Sequence, residues 1–236
     1  MDRMDIDEAF DLKPLHRFYE KNSLGDRVFE NLRQAVVRGN IGPGSRMVES
    51  RIAEVMGISR TPVREAIHKL EQEGLLKRLP RGGFEVLGLG REDIEETFGI
   101  RGVLESYAAR LSAIQHEEKE LIPLQQKIAE YELFLARKDF DALTRINTEF
   151  HDLLYALSRS PRLIKMINEL RDQIFRFRRI ILRNEILAAV SNDDHKRMLE
   201  HIRKRDAEGV ERLVKDHLAC GCNAALVAFD EDNTLA

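Results

Sequence analysis

Tryptophan is absent from this 236-residue chain, and only two cysteines, six prolines and four tyrosines occur. Cys220 and Cys222 are too few for a disulfide framework, and a Cys-Gly-Cys pair is too close for an easy bridge, so a reducing cytoplasm is the expected setting. No apolar run approaches the roughly 18 residues that a membrane span requires. The opening residues MDRMDIDEAF are acidic, unlike a secretory signal. There is no internal repeat and no low-complexity tract. What is present is an apolar fraction of 43%, enough for real cores and too much for a disordered chain. A chain of this length favours two modest domains over one large one.

The net charge of −3 argues at first sight against a nucleic-acid binder, but the charge is unevenly placed. Residues 21–90 hold 12 Lys/Arg against 8 Asp/Glu, a net +4, whereas residues 1–20 carry −3 and residues 91–236 carry −4. That asymmetry is expected where only one segment meets phosphate, although a difference of this size carries no argument alone.

The two parts also differ in texture. In residues 21–88, Ser23 can cap a helix with Leu24, Val28, Leu32, Ala35 and Val36 on one face, ended at Gly39. Ile41-Gly42-Pro43-Gly44 is a turn cluster. A short helix over Glu49–Met56, a break at Gly57-Ile58-Ser59 and a second helix over about 60–73 come next. Two strands, 75–79 and 84–87, then flank a tip at Pro80-Arg81-Gly82-Gly83. This order describes a winged helix-turn-helix. After a short linker at 88–90, strand signals stop. Amphipathic stretches at roughly 91–114, 117–136, 139–158, 161–182, 185–204 and 207–228 predict an all-α antiparallel helical bundle. The fold class is mainly α, with an acidic arm over 1–20 that is a candidate for disorder and a C-terminal tail over 229–236.

A helix-turn-helix reads DNA with the N-terminal residues of its second helix. Ser59 or Thr61 can cap that helix here, and Pro62 sits where a missing N–H does little harm. Arg60 and Arg64, four apart, project from one side, and arginine's planar fork suits guanine or phosphate. Val63, Ile67 and Leu70 supply the opposite, buried face. At the tip, Arg81 offers a cation while Gly82 and Gly83 let backbone approach a groove. Two arginines decorating a solvated helix would fit this short pattern equally well.

The longer arrangement resembles the winged-helix domain of the GntR family of bacterial transcription regulators. The pieces that carry the resemblance are Gly39-Asn40-Ile41-Gly42-Pro43-Gly44-Ser45-Arg46-Met47, Glu49, Gly57-Ile58-Ser59-Arg60-Thr61-Pro62-Val63-Arg64-Glu65-Ala66, Glu73-Gly74-Leu75 and Arg81-Gly82. The resemblance implies DNA contacts from Ser59, Arg60, Thr61, Pro62, Arg64, Arg81 and Gly82. Family members often carry a basic contact where Ser50 stands here, which leaves that role to the neighbouring Arg51.

The second part holds histidines whose spacing can be tested. Asn147 and His151 are i and i+4, on one face of one helix. His195 and His217 are 22 residues apart, about 33 Å along a single helix and too far to share a ligand. A break at Arg205-Asp206 lies 11 residues from each, so an antiparallel hairpin brings them level. Three imidazoles and one amide or water oxygen then converge on a site suited to zinc or a similar divalent ion. Each histidine alone reads equally as a surface or core residue, and His16, His68, His116 and His201 are left in that class. Cys220 and Cys222 read as small core or helix-end residues, with a thiolate ligand as the alternative.

The bundle resembles the FCD-type ligand domain of the FadR subfamily over essentially residues 91–228. Metal-containing members carry an acidic or amide residue, a His four later and two His on the last two long helices, a pattern met by Asn147, His151, His195 and His217. Many have Asp at the first position, so a neutral Asn147 implies a looser hold on the ion, zinc first and nickel or another transition metal next. The resemblance also implies a small organic acid above the metal, with Arg101 pairing its carboxylate. An Arg101–Glu105 ion pair at i,i+4 is the competing reading. Helical phase does not say whether Arg176 or Arg178 faces inward.

The resulting expectation is a cytoplasmic, homodimeric transcription regulator, not an enzyme. It would be a repressor, bound to a palindromic double-stranded operator and released by a small carboxylate effector, with no membrane partner. A metal-dependent hydrolase and a metal sensor are the alternatives; against the hydrolase, no acidic residue stands at the spacing of a general base.

Overall fold

The fold is taken from a computed structural model that describes residues 23–234, so the proposed arm over 1–20 and positions 235–236 lie outside the described residues. The chain divides between Leu89 and Gly90 into two units, each with its own core.

The first unit begins with α1 (Leu24–Val37), opened by a reciprocal cap. Ser23 Oγ accepts the Asp26 N–H at 3.1 Å while the Asp26 carboxylate accepts the Ser23 N–H. The buried face is Gly25, Val28, Leu32 and Val36, and Leu24, expected on that face, is 42% exposed. Gly25 takes the facing position instead, against the Glu65 side chain. Next come α2 (Glu49–Met56) and α3 (Arg60–Gln72), joined through Gly57, whose φ of +64° reverses the chain. Ser59 occupies the N-cap of α3, but its side chain makes no capping bond, and Thr61 lies inside the helix. Val63, Ile67 and Leu70 are fully buried in one cluster with Val28 and Leu32.

The wing is a three-stranded antiparallel sheet of β1 (Arg46–Met47), β2 (Leu76–Arg78) and β3 (Phe84–Val86), ordered β1-β3-β2. Met47 faces Phe84 and Leu76 faces Val86. Sequence patterning misses β1, since two residues between turns carry no periodicity. Gly83, at φ +84°, is required at the tip, where a Cβ would come within 2.9 Å of the Met47 carbonyl.

The second unit contains α4 (Arg91–Gln115), a 3₁₀ turn at Glu118–Glu120, α5 (Leu121–Ala136), α6 (Phe140–Ala156), α7 (Pro161–Gln173), α8 (Phe175–Leu182), α9 (Glu185–Arg203) and α10 (Ala207–Thr234). The single helix expected over 161–182 is two. Buried Ile174 leaves the helical region at φ −102°, ψ 11°, and no glycine or proline announces the break, which packing imposes. The tail expected over 229–236 is helical as far as Thr234, and Asp230 ties it to Arg91 at the start of α4, 2.8 Å away. The turn between α9 and α10 places Arg205 at φ +54°, from where its guanidinium donates to the Ile114 and His116 carbonyls at 2.7 and 3.0 Å, completing the end of α4.

The two caps make a paired prediction. Ser23→Ala should lower the stability of the first unit by about 1 kcal/mol, measured by urea unfolding. Ser59→Ala, which removes no capping bond, should change it by less than about 0.5 kcal/mol.

Candidate functional site

In the first unit, Arg60, Thr61 and Arg64 are exposed at the start of α3, together with Ser59. Arg64 is held in place by Glu49 of α2, with Nε 3.2 Å from the carboxylate, while 59% of its side chain stays exposed. Pro62, expected among the contacts, is buried, so it shapes the helix start and offers no surface. Arg51 pairs with Glu54 at 2.9 Å. Arg81 and Gly82 are exposed at the wing tip, and both their carbonyls accept from the Arg46 guanidinium, at 3.3 and 2.8 Å. Arg46 lies in the motif but had no assigned role; it braces the tip. A groove between α3 and the wing is lined by Ser50, Arg60, Arg78 and Gly82. Arg78, stacked over Phe84 at 5.2 Å, is a cation that strand patterning gave no reason to single out.

In the second unit, α6 carries Asn147 and His151, α9 carries His195, and α10 carries His217. The ring centroids lie 5.0 Å (His151–His195), 5.6 Å (His151–His217) and 5.6 Å (His195–His217) apart. One nitrogen from each falls within 4.8 Å of the others, a spread that small side-chain rotations can close onto one ion. His195 is fully buried, stacked on Phe150 at 4.2 Å, and neither of its ring nitrogens has a hydrogen-bond partner among the described residues. An unpaired buried polar group costs about 1–3 kcal/mol, so this imidazole is shaped to receive something. Burial and the neighbouring His217 hold His195 well below the usual histidine range, and burial with His195 and His217 does the same for His151. Both are therefore neutral, the form that ligates metals. His217 Nδ1 lies 3.1 Å from the Asp194 carboxylate, which fixes that nitrogen as the donor and frees Nε2. The donor set fits a borderline divalent ion such as zinc.

Asn147, His151 and His217 line a cavity of about 80 Å³, partly open to solvent. Arg101 and Arg178 line it too, as does Cys220, whose thiol is not among the mutually close donors. Arg101, 4% exposed, makes the anticipated ion pair with Glu105 at 2.6 Å while still facing the cavity. The ion pair given as the competing reading is therefore present, on a residue that also lines the cavity. Arg178 answers the question of helical phase on its own side; the Arg176 side chain lies outside the described ones. The Arg178 guanidinium donates to the Thr148 hydroxyl at 3.0 Å rather than to a carboxylate. Burial, then repulsion from Arg171 and Arg101, brings it down to about 9. The remaining described histidines are accounted for locally: His68 by Glu71, His116 by the Ser112 carbonyl and His201 by Asp206.

Comparison with known proteins agrees with this architecture. Residues 24–86 match the family described as bacterial regulatory proteins, gntR family, and residues 96–219 match the FCD domain. The chain is 30% identical over 195 residues to the uncharacterized HTH-type transcriptional regulator YdhC of Bacillus subtilis, covering 82% of this chain and 87% of that one. It is 26% identical to the HTH-type transcriptional repressor RspR of Escherichia coli, with 83% and 86% coverage. The solved structure of E. coli McbR/YncC shares the fold at a TM-score of 0.75, with 23% identity over 88% of this chain and 99% of that one. These relatives and families are transcription regulators, not enzymes, which sets the hydrolase aside. Among the described residues, no helix is long and apolar enough to cross a membrane.

The unpaired imidazole leads to a direct test. Zinc at about 100 times its Kd should stabilise the second unit by about 2.7 kcal/mol, read as a raised melting temperature that a chelator reverses. His195→Ala should show no such rise.

Proposed function

The chain belongs to the GntR family of bacterial regulatory proteins and carries an FCD domain, and from that premise we propose a repressor whose helical unit holds a divalent ion and a small organic acid that weakens operator binding. The observation that carries this reading is a cluster of three imidazoles, two of them lining a cavity that two buried guanidiniums also line, and the third, His195, buried against them with no hydrogen-bond partner among the described residues. His151, His195 and His217 would hold the ion, with the Asn147 amide as a neutral oxygen donor. The ion would supply an electrostatic anchor for a carboxylate. Arg178, whose side-chain hydrogen-bond partner among the described residues is a hydroxyl, would accept the acid's negative charge, and Arg101 adds a planar fork once it turns from Glu105. The same lonely guanidinium favours an acid effector over the ion as sole signal.

On DNA, a two-fold pair of chains would read a palindrome, with Arg60 and Arg64 at base edges and the wing at the backbone or minor groove. Effector binding then shifts the population away from the operator-competent state, by a coupling of about 1–3 kcal/mol. Cytoplasmic location follows from that role.

Arg64→Ala should weaken binding to an operator selected from random duplexes by about 1–3 kcal/mol per half-site, with discrimination relaxed. Arg81→Ala should weaken all sequences alike and flatten the salt dependence. Equal loss of discrimination in both variants contradicts the division of labour. Arg178→Ala should keep metal and operator binding but fail to release DNA when the acid that co-purifies with the wild type, identified by mass spectrometry, is added back. Release at the wild-type concentration would sink the effector site.

A further inference from the structure

The helical unit contains one buried carboxylate whose two oxygens are committed to different parts of the cavity. Glu105 Oε1 accepts from Arg101 Nε at 2.6 Å, and Oε2 accepts from the Tyr155 hydroxyl, also at 2.6 Å. The Tyr155 oxygen lies 3.2 Å from Nδ1 of His151. All four residues stand on regular helices, α4 for Arg101 and Glu105 and α6 for His151 and Tyr155, so the chain of contacts is rigidly mounted.

The direction of each proton is set by counting. A phenol has one proton, and the short contact to an ionised carboxylate claims it. Glu105 is ionised: burial alone pushes it up, but Arg101 and Arg171 outweigh that and leave it below the usual carboxylate range. With its proton given to Glu105, the Tyr155 oxygen can only accept from His151. Nδ1 of His151 therefore carries the hydrogen, and the Nε2 lone pair is the one left for a ligand. His217 reaches the same state through direct contact with Asp194, whereas His195 has no such partner.

We propose that Glu105, acting through Tyr155, is a positioning residue for the ion: it fixes the tautomer and orientation of His151 while its other oxygen holds Arg101. The inference rests on the ion-binding reading of the same cavity and adds that ion affinity is set partly by a residue that touches no ligand nitrogen. Outer partners of this kind typically change metal affinity by about 10–100-fold.

The test is a double-mutant cycle on the full-length chain, with zinc affinity measured by competition with a chromophoric chelator and the ligand field read from the cobalt-loaded protein. Tyr155→Phe and Glu105→Gln should each weaken zinc by about 10-fold or more and shift the cobalt absorption bands. The double variant should be no weaker than Tyr155→Phe alone, because both act through one path. Glu105→Gln leaves buried guanidiniums without their counter-charge; if it does not fold, Tyr155→Phe, which keeps the ion pair, decides the matter. Wild-type zinc affinity and an unchanged cobalt spectrum in Tyr155→Phe would overturn the relay, as would losses that simply add. A wild-type chain that takes up neither metal would overturn the ion-binding reading itself, and the relay with it.

Discussion

The charge of one buried carboxylate is what the interior of the helical unit depends on. Glu105 is 1% exposed, and around it lie Arg101, Arg171 and Arg178 at 4, 4 and 8% exposure. Ions this deep persist only when paired and hydrogen-bonded. Arg101 and Tyr155 occupy the two oxygens of Glu105, and Arg171 adds attraction while binding Asp152 and the Thr148 carbonyl on α6. Among the described residues, the three buried guanidiniums outnumber the single buried carboxylate, since Asp152 is half exposed. The surplus falls on Arg178, the member that faces the cavity with a neutral partner.

Apolar packing does the complementary work. Phe150 stacks on His195, and Tyr131 approaches it edge-on at 5.7 Å, so the ring is confined without being hydrogen-bonded. A histidine held this way is a poor stabilising residue and a good preorganised ligand. The helices that carry it are anchored elsewhere, by the hydrophobic cluster of Leu154, Met198, Leu199 and Val214 and by Arg205 closing the end of α4.

How much of this was legible beforehand follows from the range of the interactions. Capping at Ser23, the left-handed glycine at Gly57 and the buried face of α3 are local, and spacing exposed them. The meeting of His195 and His217 was also legible, because one turn at Arg205-Asp206 fixes the level of two regular helices. Glu105 and Tyr155 are 50 residues apart in sequence on helices that do not follow one another, and no periodicity encodes their contact. Likewise Arg178 differs from its neighbours only in facing a cavity that several helices build. The break at Ile174 and the two-residue β1 escape for the same reason: tertiary packing, not local preference, decides them. Pro62 misled through adjacency, since Arg60, Thr61 and Arg64 around it are exposed while Pro62, like Val63, is turned inward.

The neutral amide at Asn147 gives the cavity its sense. A site closed for structural purposes supplies its own anionic ligands and leaves no position open. Here the candidate donors are three imidazoles and an amide, none of them a carboxylate or thiolate, so an ion held by them would keep its positive charge, and the Arg178 guanidinium donates to a hydroxyl. Asp194 is turned to His217 Nδ1, and Glu105 is spent on Arg101 and Tyr155, so neither acid neutralises that charge directly. In a partly buried, low-dielectric cavity such an imbalance is costly until an anion enters. On the proposed reading, the missing negative charge is left for the ligand to bring, as a receptor for a small acid requires and a purely structural metal site would avoid.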